Sequence, residues 1–348
     1  MKAVHGGDIY RNRVTTDFSI NINPLGMPET VKEALHGAVE KCTCYPDISS
    51  GRLCGAVAQM LNVPEEYLLF GNGASELFMA VVHGVKPRKT VIVIPSFYGY
   101  EYAAKAQDGE IIYYETHRED GFALRGDFLE ALTEEVDLLF LANPNNPTGK
   151  LMSREELRRV LIHCREKGIC VVLDECFIEF CDEEYSALPE IEEFPNLILV
   201  RAFTKIFAVP GVRLGYLVCS HRSLPKKISR QLPEWSVSVM AQEAGCACAM
   251  QADFMEKTRA YIREERQFLE NGLKQAGMQV FPGEADFLLV YSGLPLYDRL
   301  LEKGILIRDC QNFRGLSKGF YRLAVKSREE NEMLLNAIGE IKWNEKVR

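Results

Sequence analysis

An α/β fold, with a mostly parallel seven-stranded sheet in a large lobe and a smaller α+β lobe after it, follows from three features of the sequence. Between residues 67 and 218, short runs rich in β-branched and aromatic residues alternate with helical patterns. Beyond about residue 220, longer helical stretches replace that alternation. The chain has 348 residues, more than a single domain of about 150 accommodates, so two lobes are expected.

The strand runs are Tyr67–Phe70, Thr90–Ile94, Glu110–Tyr114, Asp137–Leu141, Ile169–Leu173, Leu197–Arg201 and Arg213–Val218. Apolar residues at helical spacing in Ala74–Val85, Gly99–Gln107 and Ser153–Lys167 supply the crossovers of a sheet covered on both faces. Such sheets bind ligands at the C-terminal ends of their strands. Longer helices are expected at Val237–Met250 and Phe254–Ala276, then short strands near Phe287–Tyr291, Ile305–Ile307 and Phe320–Val325, then a final helix. The expected division is an N-terminal arm, 1–44, packing with the small lobe, a large lobe, 45–235, and a small lobe, 236–348.

Composition narrows the function. Lys and Arg number 41 against 49 Asp and Glu, a net charge of −8, and no basic tract interleaved with aromatics is present, so nucleic acid is not an expected partner. No apolar run approaches the roughly 18 residues that span a bilayer, and no export signal is read at the start, so a cytoplasmic protein without a membrane partner is expected. The 11 cysteines are scattered in apolar contexts that suit free thiols, and Cys42-x-Cys44 and Cys246-x-Cys248 lack zinc-ligand spacing, so no metal is expected.

Four segments at strand ends carry chemistry. In Phe70-Gly-Asn-Gly-Ala-Ser-Glu76 a strand runs through glycines into a helix, where backbone N–H groups and the Ser75 hydroxyl could hold a phosphate. An ordinary strand–helix turn would look the same. Asn143-Pro-Asn-Asn-Pro-Thr-Gly149 is a loop made rigid by two prolines, with side-chain amides aimed at fixed points. Asp174 ends the apolar strand Val171-Val-Leu; a carboxylate buried there wants a cation, although a helix N-cap is the alternative. Lys205, set among apolar residues in Arg201-Ala-Phe-Thr-Lys-Ile-Phe, is a candidate Schiff-base nucleophile, with a snorkelling surface lysine as the alternative.

Together and in this order, Asn143–Gly149, Asp174, Phe-Thr-Lys205 and Pro210-Gly-Val-Arg-Leu-Gly215 resemble fold-type I pyridoxal-phosphate enzymes of the aspartate aminotransferase superfamily, over essentially the whole chain. The branch is the one shared by histidinol-phosphate aminotransferases and threonine-phosphate decarboxylases. The resemblance implies that the cofactor is pyridoxal 5′-phosphate, bound in the large lobe. Lys205 would hold it covalently, Asp174 would pair with its ring nitrogen, Asn146 would bond the ring oxygen, and Phe97 would stack on the ring beside Phe177. Gly73, Ala74, Ser75, Thr204 and Arg213 would surround its phosphate. Tyr45 would reach that phosphate from a neighbouring subunit, which implies a homodimer with shared sites. Arg322 would grip a substrate carboxylate, and His5, Asn23 and Arg308 are assigned to a substrate phosphate.

Within the branch, His5-Gly-Gly, Asp17-Phe-Ser-Ile-Asn-Ile-Asn-Pro-Leu-Gly26 and Ile305-Leu-Ile-Arg-Asp-Cys310 are similar to threonine-phosphate decarboxylases. So is Phe177, where aminotransferase relatives typically carry tyrosine. Asp8 and Tyr98-Gly99 depart from the pattern. The implied reaction is decarboxylation of L-threonine O-3-phosphate to (R)-1-aminopropan-2-ol O-2-phosphate and CO₂, for the side chain of cobalamin. The alternative is transamination of histidinol phosphate or another amino acid with 2-oxoglutarate.

Overall fold

The computed structural model describes residues 5–346. Among these residues, thirteen strands form three sheets: β1 (Thr16–Asp17), β2 (Leu68–Gly71), β3 (Lys89–Ile94), β4 (Glu110–Glu115), β5 (Leu138–Ala142), β6 (Cys170–Asp174), β7 (Leu197–Ala202), β8 (Gly215–Val218), β9 (Gln279–Phe281), β10 (Phe287–Tyr291), β11 (Ile305–Leu306), β12 (Arg308–Asp309) and β13 (Phe320–Ala324).

The large sheet has the order β2-β8-β7-β6-β5-β3-β4, and β8 runs opposite to the other six strands. Its central strands are continuous apolar runs because both faces are covered. Along β6, Val171 and Leu173 point into one core and Val172 into the other; Leu139 with Leu141, and Leu138 with Phe140, divide in the same way on β5. Helix Ala74–Val85 covers the second face through Leu77, Phe78 and Val81, while Arg154–Lys167 covers the first through Leu157, Val160 and Leu161. The latter begins with a capping box between Ser153 and Glu156 and ends at Gly168 with φ +73°.

The second sheet, β12-β13-β10-β9, is antiparallel. One face packs on helices Ala252–Gln275 and Arg328–Lys346 through Leu288, Val290 and Leu323 against Leu269, Leu273, Leu334 and Ile338. The other face carries Leu289, Cys310 and Phe320 and meets Phe122 of the large lobe. An N-terminal segment ties the two lobes together: β1 pairs with β11, Phe18 is buried in the small-lobe core, and the Asn23 N–H donates to the Lys205 carbonyl at 3.2 Å. Helix Val239–Cys248 packs on Glu29–Lys41 and Gly51–Leu61, and its Ala241, Ala244 and Cys248 join the large core.

The seven expected large-sheet strands form within a residue or two of their expected limits. The exception in cause is β8, which starts at Gly215 because Arg213 has φ +59°, a left-handed conformation that no strand continues. Helix Gly51–Leu61 and strand β9 were not expected; β9 has three residues, too few for a period to register.

Behind the central strands, Glu175 is wholly buried and accepts from Arg201 at 2.6 and 3.0 Å and from the Ala187 N–H at 2.7 Å. Arg201→Met leaves that carboxylate uncompensated and is expected to cost about 3–5 kcal/mol in equilibrium denaturation. A loss below about 1 kcal/mol would contradict this account of the pair.

Candidate active site

Six loops at one edge of the large sheet surround a cavity of about 670 Å³. The strand order reverses between β3 and β5, so the loops after these two strands diverge and leave a crevice, and the ends of β6, β7, β2 and the start of β8 continue the wall.

At one end lies a phosphate cradle. Helix Ala74–Val85 starts at Gly73 without a side-chain cap, so its first-turn N–H groups face the cavity beside Ala74 and Ser75. Gly73 has φ +81°, and a Cβ there would come within 2.5 Å of Arg213 Nη2. Gly215 passes so close beneath that a Cβ would lie 2.7 Å from the Ala74 nitrogen. Thr204, on the short helix Phe203–Ile206, completes the cradle. Hydroxyls, N–H groups and one guanidinium thus meet where a dianion would sit.

Beside the cradle is a slot for a flat ring. Asp174 forms its floor; one oxygen accepts from the Tyr100 hydroxyl at 2.5 Å and the other from the Cys176 N–H at 2.8 Å. Burial raises its pKa, and no cation pairs with it among the described residues, so a protonated ring nitrogen would stabilise its ionised form. Burial, together with Asp174, pushes the Tyr100 phenol well above its usual range, which keeps Tyr100 a neutral donor. Phe97 and Phe177 line the slot, and the Phe97 ring stands edge-on to Tyr100 at 5.7 Å.

Asn143 and Asn145 hold their own loop: Asn143 Nδ2 donates to the Tyr185 carbonyl at 2.9 Å, and Asn145 Nδ2 to Pro95 and Thr148 at 3.0 and 2.8 Å. That leaves Asn146 to face the cavity, where its Oδ1 accepts from Arg322 Nη1 at 2.5 Å.

Lys205 projects between these parts, its Nζ 5.9 Å from the Phe177 ring centre. Burial brings its pKa down to about 8, so a sizeable fraction is the free amine near neutrality. Arg322 reaches in from β13, with Nη2 donating to the Ser19 carbonyl at 2.8 Å; burial lowers its pKa to about 10. Arg308 is its direct cross-strand partner on β12, held by the Asp309 carbonyl and Asn312 Oδ1 at 2.6 and 2.8 Å. His5 lies on the same side, 5.8 Å from the Phe97 ring, its pKa lowered by burial and then by Arg308, Arg322 and Lys205.

Two expected residues stand elsewhere. Asn23 does not line the cavity: its Nδ2 is used by the Ile206 carbonyl at 2.7 Å and Thr258 at 2.9 Å, and its Oδ1 by the Leu25 N–H, so it anchors the Lys205 segment instead of a substrate. Tyr45 lies outside this chain's cavity, 82% exposed and packed on Trp235 at 5.0 Å. Residues the sequence reading passed over are Tyr100, Ser19 and the Glu101–Arg314 pair at the rim, joined at 3.1 Å. The i, i+3 spacing of Phe97 and Tyr100 was the available signal for the first.

The residues present fit pyridoxal 5′-phosphate: an uncapped helix end with no room for a side chain at Gly73, a buried carboxylate lacking a cation, and an amine in an apolar wall. A family profile described as aminotransferase class I and II matches residues 13–338. The chain belongs to this family. Its cofactor is pyridoxal 5′-phosphate. The chain is 38% identical to the threonine-phosphate decarboxylase of Salmonella typhimurium, covering 97% of this chain and 96% of that one. It is 32% identical to the histidinol-phosphate aminotransferase of Symbiobacterium thermophilum, over 91% and 88%. The crystal structure of the histidinol-phosphate aminotransferase from Clostridium acetobutylicum superposes with a TM-score of 0.89 at 31% identity, covering 94% of this chain and 99% of that one.

Two outcomes are expected. Gly73→Ala, strained at φ +81° and pressed on Arg213, weakens retention of the cofactor roughly tenfold or more in a spectroscopic titration; unchanged affinity would remove the cradle from the account. Because Lys205 attacks only as the free amine, covalent capture of pyridoxal phosphate should speed up about tenfold per pH unit below about 8 and level off above it. A stopped-flow pH series with no such rise would contradict that role.

Proposed function

We propose that this chain decarboxylates L-threonine O-3-phosphate to (R)-1-aminopropan-2-ol O-2-phosphate and CO₂, serving cobalamin side-chain synthesis in the cytoplasm as a homodimer. The observation that carries the reading is the pairing of two buried arginines, Arg308 opposite Arg322, both lining the cavity with His5 nearby. Two guanidinium groups side by side on the cavity wall suit a ligand with two anionic groups close together. A phosphorylated amino acid brings a carboxylate and a phosphate in one molecule; histidinol phosphate has no carboxylate, and the two anionic groups of 2-oxoglutarate are both carboxylates. Similarity to the Salmonella enzyme supports the same choice.

In this reading Arg322, braced by Asn146 and the Ser19 carbonyl, fixes the carboxylate. Arg308 and His5 take the substrate phosphate. When bound, pyridoxal phosphate supplies an electron sink for the carbanion left as CO₂ departs. Asp174 holds the proton on its ring nitrogen, the Ser75, Thr204 and Arg213 side chains bind its phosphate, and Lys205 returns a proton to Cα. Phe177 offers no hydroxyl to the ring. Tyr45, exposed and clear of its own cavity, would serve a partner subunit.

The second reading, an aminotransferase, is favoured by the close superposition on the Clostridium enzyme. One assay separates them: loaded protein with L-threonine O-3-phosphate and no keto acid, with CO₂ and product mass followed together. Catalytic CO₂ release with the aminopropanol phosphate mass is expected. Amino transfer from histidinol phosphate to 2-oxoglutarate without CO₂ release would overturn the reading. Arg308→Met should raise the KM for the phosphorylated substrate roughly tenfold or more, with a smaller effect on kcat.

A further inference from the structure

One buried titratable group has no part in the assignments above. Asp286 stands immediately before β10, wholly buried, and neither of its carboxylate oxygens has a hydrogen-bond partner. Its backbone is fixed. The Val325 N–H donates to the Asp286 carbonyl at 2.7 Å, and the Arg266 guanidinium holds the carbonyls of Glu284 and Ala285 just before it. The side chain is out of reach of water, and a buried carboxyl without hydrogen bonds is costly to ionise unless a cation faces it.

Three cations act on it: Lys205 from the short helix Phe203–Ile206, Arg322 from β13 and Lys326 from just beyond β13, with Lys205 the strongest. Arg322 gives one hydrogen from each terminal nitrogen to Asn146 and Ser19, its Nε has no hydrogen-bond partner, and it acts on Asp286 as a second cation behind Lys205. Seen from Lys205, Asp286 is the foremost charge, ahead of Arg322, Cys176 and Arg213. Burial pushes Asp286 up to about 7 and Lys205 down to about 8, so the two change charge over the same pH range and titrate as a coupled pair.

We propose that Asp286 is the counter-ion of Lys205, a positioning residue whose charge, acting through space and without a hydrogen bond, stabilises the ammonium and so sets the pH at which Lys205 becomes a nucleophile. An anion at this place raises the proton affinity of the lysine against the desolvation that lowers it. The inference rests on Lys205 being the cofactor lysine. It does not depend on which reaction follows.

The test uses cofactor-free full-length protein, so failure of decarboxylation leaves it intact. Acylation of Lys205 by an amine reagent is followed against pH by peptide mass spectrometry. In Asp286→Asn the midpoint moves to lower pH by about one unit or more, because the anion stabilising the ammonium is gone. The reciprocal measurement is made on Lys205→Ala, where the infrared band of a protonated carboxyl, assigned to Asp286 by its absence in Asp286→Asn/Lys205→Ala, persists to higher pH than in the unaltered chain. If Asp286→Asn does not fold, the infrared pH series on Lys205→Ala against the unaltered chain decides alone. A midpoint that stays in place or moves upward, or a carboxyl band indifferent to Lys205, would overturn the proposal and make Asp286 a neutral structural group.

Discussion

The reversed strand β8 is the constraint on which the rest of the site depends. Lying antiparallel between β2 and β7, it sets its own first residues beside the last residues of both neighbours. Gly71 and Ala202 each pair with Gly215, so the turn at Gly73–Ser75, the Thr204–Lys205 helix and Arg213 converge at one sheet edge although 140 positions separate the first from the last. Were β8 parallel, Arg213 would lie at the far edge. The close approach that permits this convergence needs glycine at 73 and 215, since a Cβ at either would meet Arg213 or the Ala74 backbone.

On this frame the protein gathers charges that an empty apolar cavity would exclude. Lys205 and Arg322 have lowered proton affinity and Asp174 and Asp286 raised affinity, each chiefly through burial. Asp174 has no paired cation among the described residues, and two arginines stand opposite each other on the cavity wall. A ring nitrogen, an aldehyde, a carboxylate and phosphates are the complementary groups for such a lining, so binding them stabilises the site as well as filling it.

Much of this was legible in the sequence because strand-end motifs are local. Asn146, Asp174 and Lys205 each follow or end an apolar run, and the sheet itself brings them together. What the sequence hid was partnership between separate elements. That Asn23 anchors the Lys205 segment, that Tyr100 donates to Asp174, and that Arg308 faces Arg322 depend on contacts between residues 14 to 235 positions apart. Asp286 escaped notice for a different reason: in Glu-Ala-Asp-Phe it reads as an ordinary turn before a strand, and only its burial marks it out.

Borohydride reduction of pyridoxal-phosphate-loaded protein, followed by peptide mass spectrometry, tests the central claim most directly, because it fixes the cofactor to whichever amine holds it. The account predicts one pyridoxyl-phosphate mass per chain, on the peptide carrying Lys205. A label on any other lysine, or none, would contradict the convergence of cradle, slot and amine on which the account is built.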